Sequence, residues 1–231
     1  MYRERKINVF LSASADVQLL PPDASAPLNA FPEAPDCAAV RDALLAFVQV
    51  LLPASHVYFG GHPTITRLLA HVLEEKGQTC LAEHFSLYQS NFFAQKFPPE
   101  NNIFSSRMIT TGIVGDGSSD RSRDMSLTKM REAMLAPEHS IELCIFMGGK
   151  EAGLAEELGI VQRHFPRALI LPLAMTGGYS AKIYAACKPD DARGAEQGII
   201  VPASLYHRCH RFRFYTLFQE VLNIIQHHDN E

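Results

Sequence analysis

The sequence contains no tryptophan, only five cysteines and no excess of basic residues. The cysteines are odd in number and scattered, which argues against a disulfide framework and suits a reducing compartment. Lysine and arginine number 21 against 25 acidic residues, so no broad positive field indicates a nucleic-acid-binding protein. No window approaches the roughly 18 consecutive apolar residues of a membrane span, and the run Ile7–Leu11 is too short for a signal peptide. We therefore expect a cytoplasmic chain without nucleic-acid or membrane partners.

Several standard catalytic and cofactor motifs are also missing. The dinucleotide fingerprint G-x-G-x-x-G and the phosphate loop G-x-x-x-x-G-K-[ST] do not occur, so neither standard dehydrogenase nor nucleoside-triphosphatase chemistry is indicated. No G-x-S-x-G elbow supports a nucleophilic serine. The densest group of metal-ligating residues, His207, Cys209 and His210, has no second pair to complete a zinc tetrahedron. We expect neither a metal nor a cofactor.

The sequence that remains is typical of a globular chain, with 231 residues of which 47% are apolar and 20% charged. We predict one domain over residues 1–231. Short runs that are apolar on both faces alternate with helical patterns, which predicts an α/β fold with a mostly parallel sheet and helices on both faces. The predicted strands are Ile7–Leu11, His56–Phe59, Met108–Thr111, Ile141–Met147 and Ala168–Leu173, with a further candidate in Cys80–Tyr88. The predicted helices are Pro63–Lys76, Asp124–Ala136, Ala152–Phe165 and Phe212–His228.

Residues 16–35 interrupt this alternation. They carry five prolines and have almost no hydrophobic periodicity. This composition predicts a long surface loop between the first strand and its helix. Loops of this length are uncommon unless they are functional or disordered, so the segment is a candidate lid over a ligand.

Glycines and hydroxyl side chains follow the predicted strands. In open parallel sheets, ligands bind beyond the carboxyl ends of the strands, where helix N-termini offer unpaired N–H groups. One Gly-Gly pair alone is typical of a tight turn, but three pairs each follow a strand and open a helix, so we expect their backbone amides to approach a phosphorylated ligand. The predicted ligand-binding residues at these ends are Ser12, Ser14, Gly60, Gly61, His62, Thr64, Gly148, Gly149, Thr176, Gly177 and Gly178.

Arg131 lies on the apolar face of its predicted helix, four residues after Leu127. A guanidinium on a buried face needs a partner, because an unpaired buried charge is very costly. The partner is either a structural carboxylate or the anionic part of a ligand. Glu157 borders the apolar face of the next helix and is the expected carboxylate, whereas Glu156 is expected to point away.

Two further charged residues complete the predicted site. Glu151 opens the helix that carries Glu157, and we expect it to make a charged contact with the ligand. Arg123 lies in the glycine- and serine-rich stretch that leads to Arg131. It either reaches the ligand or is a solvated surface charge.

These stretches together resemble the SLOG superfamily, which links the Smf/DprA proteins of DNA processing with the LOG phosphoribohydrolases. The similar stretches are residues 57–64, 120–134, 145–157 and 171–178. Within the superfamily, the chain is most similar to the TIR-associated SLOG sensor domains of bacterial anti-phage systems such as Thoeris. The resemblance implies a Rossmann-like fold and binding of an NAD-derived nucleotide, such as a cyclic ADP-ribose isomer. It also implies self-association into a homo-oligomer. A sensor normally controls an effector, so we expect that a separate effector protein supplies this function, that the chain is a fragment, or that the protein sequesters its ligand.

The LOG hydrolases supply the alternative function, cleavage of nucleoside 5′-monophosphates. Their motif P-G-G-x-G-T-x-x-E resembles residues 147–157 of this chain. Here Met147 replaces proline, Leu154 replaces threonine, and three residues instead of one separate the Gly pair from Gly153, while Glu157 keeps the glutamate. These differences favour a ligand-binding sensor over an enzyme. If the chain is a hydrolase, the resemblance makes Glu157 and Arg131 its catalytic residues.

Overall fold

Six parallel strands form one sheet in the computed structural model, which describes residues 5–15, 31–186, 205 and 213–228. The strands are β1 (Ile7–Ser14), β2 (Ser55–Phe59), β3 (Phe85–Ser90), β4 (Met108–Thr111), β5 (Leu143–Gly148) and β6 (Leu169–Leu173). The predicted α/β fold is confirmed. The candidate strand in Cys80–Tyr88 divides into the 3-10 helix Thr79–His84 and the start of β3.

Six α-helices connect or flank these strands in the described part of the chain. They are α1 (Cys37–Val50), α2 (Pro63–Glu75), α3 (Asp120–Met134), α4 (Glu151–His164), α5 (Gly178–Ala186) and α6 (Phe214–His228). The predicted helices are confirmed, although α3 begins four residues before its predicted start. The side chain of Ser119 caps this helix by accepting a hydrogen bond from the N–H of Ser122.

Side chains of the central strands pack on both faces of the sheet, as a buried parallel sheet requires. In β1, Val9 and Leu11 pack with α1, α2 and α6, whereas Phe10 faces α3 and α4. All three side chains are almost fully buried. The result is a Rossmann-like arrangement with helices on both faces.

The order of the strands places a switch point at the centre of the sheet. Across the sheet the order is β4-β3-β2-β1-β5-β6. The chain therefore runs outward from β1 to β4 and then returns to β5 on the opposite side of β1. Ligands of open α/β sheets bind outside the carboxyl ends of the strands at such a point. Here the point lies between Ser14 at the end of β1 and Gly148 at the end of β5.

The described residues bear on three other features predicted from the sequence. Cys80 and Cys144 are free thiols. Among the described residues, no helix is both long and apolar enough to cross a membrane, and no three His, Cys, Asp or Glu side chains are grouped to hold a metal ion. The His207, Cys209 and His210 group lies outside the described residues, as do residues 16–30 of the predicted loop.

Candidate functional site

The ends of β1 and β5 approach each other closely at the switch point. Ser14 and Gly148 are register partners, and the N–H of Gly149 donates to the carbonyl oxygen of Ser14 at 2.9 Å. Gly148 has φ +61°, and a Cβ there would lie only 2.5 Å from that same carbonyl oxygen. Glycine is therefore required at position 148 for the two strand ends to meet.

Thr176 joins the end of β5 to the loop after β6. Its buried hydroxyl accepts a hydrogen bond from the N–H of Gly148 at 2.8 Å and donates to the carbonyl oxygen of Leu173 at 2.5 Å. Ser180 donates to the same carbonyl oxygen at 2.7 Å. Both bonds of the Thr176 hydroxyl thus lie within the protein, where they hold the two loops together.

The second Gly-Gly pair, Gly148 and Gly149, and the third, Gly177 and Gly178, lie in two loops that are joined by hydrogen bonds. The N–H of Gly178 donates to the carbonyl oxygen of Pro32 at 3.1 Å, and the N–H of Gly177 donates to that of Ala174 at 3.0 Å. With the bonds of Gly148 and Gly149, all four amides of the two pairs donate within the protein. Four of the six glycine amides expected to approach a phosphate therefore already donate within the protein. A role for these glycines in ligand binding stays a prediction.

A charged cluster lies beside the switch point, where α3 meets α4. The Arg131 guanidinium donates through Nη1 to Glu156 Oε2 at 2.5 Å and through Nε to Glu157 Oε1 at 3.4 Å. Glu157 also accepts a hydrogen bond from the Ser12 hydroxyl at 2.5 Å. The side chains of Arg131 and Glu157 are only 14% and 12% exposed. Ser12, Arg131 and Glu157 therefore come together from β1, α3 and α4.

Two expectations about this cluster have different outcomes. The ion pair of Arg131 with Glu157 is confirmed. The expectation that Glu156 points away is wrong, because Glu156 makes the shorter contact with Arg131. The guanidinium lies across α4 at Gly153, where an added Cβ would be 3.3 Å from Nη2. Gly153 is one turn before both glutamates, so either of their long side chains reaches the guanidinium.

Burial dominates the electrostatics of Glu157. Removal from water raises the pKa of its carboxyl above the ordinary value, while the charge of Arg131 and the hydrogen bond from Ser12 lower it and offset part of the rise. A carboxyl in such surroundings is typical of a functional site, although structural ion pairs produce similar shifts.

Replacing Glu157 with glutamine is expected to flatten the pH dependence of stability. Because the pKa is raised in the folded state, this carboxyl contributes stability that is fully present below the unfolded pKa of about 4.5. That contribution is lost as pH rises through the folded pKa. The free energy of unfolding of the wild type should therefore fall, relative to Glu157→Gln, as pH increases from about 4 to 8.

Urea unfolding across that pH range measures this difference. The matched control is Glu132→Gln on α3, since the side chain of Glu132 is 42% exposed and pairs with the exposed Arg163. A constant offset between Glu157→Gln and wild type at every pH would contradict the prediction.

The loop after β2 holds the first Gly-Gly pair on the other side of β1. A Cβ at Gly61 would lie 1.9 Å from Gln89 Nε2, and that amide donates to the carbonyl oxygen of Gly61 at 2.9 Å. Gly60 packs near Met130 of α3. His62 is the residue before α2, and Thr64 lies in the first turn of that helix. This loop thus contacts the same helix that carries Arg131.

Two predicted charged residues lie apart from the cluster. Glu151 is 65% exposed and accepts a hydrogen bond from Lys182 on α5 at 2.9 Å. The Arg123 guanidinium is 43% exposed and pairs with Asp120 and Asp124 of its own helix. Arg131 follows Arg123 by about two helical turns. A role for either residue in ligand binding stays a prediction.

The described end of the proline-rich segment lies over the interlocked glycine loops. Pro32 contacts Gly177 and Gly178, and the Phe31 ring packs edge-on against Tyr184 with centroids 5.4 Å apart. Asp36 then caps α1 by accepting hydrogen bonds from the N–H groups of Ala38 and Ala39. Residues 31–35 therefore border the site at the switch point.

Four residues that complete this arrangement were not found from the sequence. They are Pro32, Gln89, Glu156 and Ser180. Ser180 follows Thr176 by four residues, but Thr176 ends a 3-10 turn and Ser180 lies in α5, so helical spacing does not explain why both hydroxyls bond the carbonyl oxygen of Leu173. Gln89 contacts Gly61, and Pro32 contacts Gly178, across long stretches of sequence. Local sequence patterns cannot predict contacts of this kind.

A family model described as the SLOG cluster3 family matches residues 30–208 of the chain. This range covers α1 to α5 and β2 to β6, including Arg131, Glu156, Glu157 and all three Gly-Gly pairs, whereas Ser12 on β1 lies before it. A search of curated proteins gives no match.

Proposed function

Because the chain belongs to the SLOG cluster3 family, we propose that it binds a nucleotide-derived signalling ligand at the switch point between β1 and β5. The ligand class proposed is an NAD-derived nucleotide, such as a cyclic ADP-ribose isomer, in bacterial anti-phage signalling. The observation that carries the proposal is the cluster of Ser12, Arg131, Glu156 and Glu157 at that point. Hydroxyls and carboxylates suit ribose hydroxyls, and a guanidinium suits a phosphate.

Sensing is favoured over hydrolysis by the hydrogen bonds of Glu157. N-glycosidic cleavage needs a carboxylate that can stabilise a developing positive charge or activate water. Both oxygens of Glu157 already have partners, because Oε1 accepts from Arg131 and Oε2 from Ser12. A carboxylate held in this way orients Arg131 and Ser12 towards a ligand without entering a reaction.

The alternative function is hydrolysis of nucleoside 5′-monophosphates. Its support is the buried Glu157 carboxyl, whose pKa is raised by removal from water, which is the direction of shift expected for a general acid. In this alternative, Glu157 transfers the proton and Arg131 holds the phosphate. Ribose 5-phosphate release from AMP would then be lost in Glu157→Gln.

Calorimetric titration separates the two functions. The panel consists of NAD, ADP-ribose, cyclic ADP-ribose isomers, AMP and cyclic dinucleotides, and each mixture is analysed afterwards by chromatography. A sensor is expected to bind an ADP-ribose-type ligand and to release it intact. Conversion of AMP to adenine would overturn this proposal in favour of the hydrolase. Self-association stays a prediction, which size-exclusion chromatography with and without the bound ligand would test. Control of a separate effector protein also stays a prediction.

A further inference from the structure

The charged cluster contains more negative than positive groups. One guanidinium, that of Arg131, lies between the carboxyl groups of Glu156 and Glu157. A phosphate entering this cluster would bring further negative charge beside them. An anion can therefore bind Arg131 favourably only if one of the carboxyl groups moves away or is neutralised.

The two glutamates differ in how firmly they are held. Glu157 is 12% exposed and is bonded to both β1, through Ser12, and α3, through Arg131. Glu156 is 29% exposed and lies on the solvent side of the cluster, bonded to Arg131 Nη1. Glu156 can turn towards water by rotation of its own side chain, whereas displacement of Glu157 would leave a buried carboxyl without its partners.

From this asymmetry we infer that Glu156 is an internal competitor for the anionic group of the ligand. The inference rests on the proposed function. In the structure Glu156 occupies Nη1, one of the donors with which an arginine binds a phosphate at two points. A bound phosphate replaces the Glu156 carboxylate, which turns towards solvent. Glu157 keeps its bonds and continues to orient Arg131.

Such a competitor sets a threshold for binding. The apparent affinity is the intrinsic affinity multiplied by the fraction of molecules in which Glu156 is turned away from Arg131. A simple anion with no further contacts therefore binds weakly. A nucleotide whose ribose and base make additional contacts replaces the carboxylate more readily. Glu156 thereby lowers the affinity for every anion by the same factor, which leaves free phosphate with little measurable binding while a complete nucleotide still binds.

The test compares wild type with Glu156→Gln, in which the side chain keeps its shape and loses its charge. Both proteins are titrated calorimetrically with ADP-ribose, inorganic phosphate and adenosine. Glu156→Gln is expected to bind ADP-ribose about tenfold more tightly and to gain measurable binding of phosphate, since a competing charged hydrogen bond is removed. Its response to the uncharged adenosine should equal that of wild type. Glu132→Gln, an exposed change on α3, should match wild type throughout.

Three outcomes would overturn the inference. If wild type binds ADP-ribose and Glu156→Gln binds it equally or more weakly, the competitor role is rejected and the proposed function stands. If no variant binds any of the three compounds, both the inference and the proposed site are rejected. An equal gain for adenosine would show that the effect does not depend on the anion. Glu156→Ala provides a second uncharged variant if glutamine alters the fold.

Discussion

Replacing Arg131 with alanine is expected to lower both stability and ligand affinity. The change leaves the buried Glu157 carboxyl without its cation, and breaking a buried ion pair in this way costs about 3 kcal/mol of the free energy of unfolding. For a chain of this size, that corresponds to a fall in melting temperature of about 6–12 °C. Loss of the charge-assisted bonds to a phosphate should weaken ADP-ribose binding about 30-fold.

The structure offers a matched control for this variant. Arg163 and Glu132 also link α4 to α3, but their side chains are 61% and 42% exposed. Arg163→Ala should therefore cost only about 0.5 kcal/mol and leave binding unchanged. The double variant Arg131→Ala/Glu157→Gln should recover part of the stability, because the uncompensated carboxylate is gone. Calorimetric binding unaffected in Arg131→Ala would remove this residue from the site, and an unaltered melting temperature would reject its structural role.

Replacing Gly177 with alanine is expected to destabilise the protein by about 4 kcal/mol. Its φ of +71° and ψ of −163° belong to a region that only glycine adopts readily. The added Cβ would also lie 2.3 Å from the carbonyl oxygen of Ala34, so residues 32–34 would have to move. Thermal and urea unfolding measure the loss, which corresponds to about 8–16 °C in melting temperature.

Gly159→Ala is the matched control for Gly177→Ala. Gly159 lies within α4, and a Cβ there would meet nothing within 4 Å. Alanine favours the helix by about 0.5–1 kcal/mol over glycine, so this change should be neutral or slightly stabilising. Equal melting temperatures for Gly177→Ala and wild type would mean that the loop after β6 relaxes at little cost.

Most of the fold can be predicted from the sequence because apolar periodicity reports burial directly. The runs at Ile7, His56, Met108, Ile141 and Ala168 correspond to five of the six strands. β3 is the strand that the sequence pattern predicts least clearly. The residues before it form a 3-10 helix, and its polar Ser86, Gln89 and Ser90 are buried. Polar side chains that are buried through hydrogen bonds hide a strand from any pattern based on hydrophobicity.

The candidate site is predictable only in part. Arg131 was identified from an unpaired charge on an apolar face, and its Glu157 partner from the facing helix. The helical pattern does not show that Glu156 also reaches the guanidinium, since this depends on how α3 crosses α4 at Gly153. The bonding of the glycine amides within the protein likewise depends on loops that meet only in the folded chain.

The interlocked loops determine how a binding event would be transmitted. The carbonyl oxygen of Thr176 accepts a hydrogen bond from the N–H of Asp36, the residue that caps α1. A displacement of these loops would therefore move the N-terminus of α1, a helix about 21 Å long. Phe47, in the last turn of α1, packs edge-on against Phe218 of α6, with ring centroids 6.1 Å apart. A movement of the glycine loops would thus reach the layer formed by α1 and α6 through these two contacts.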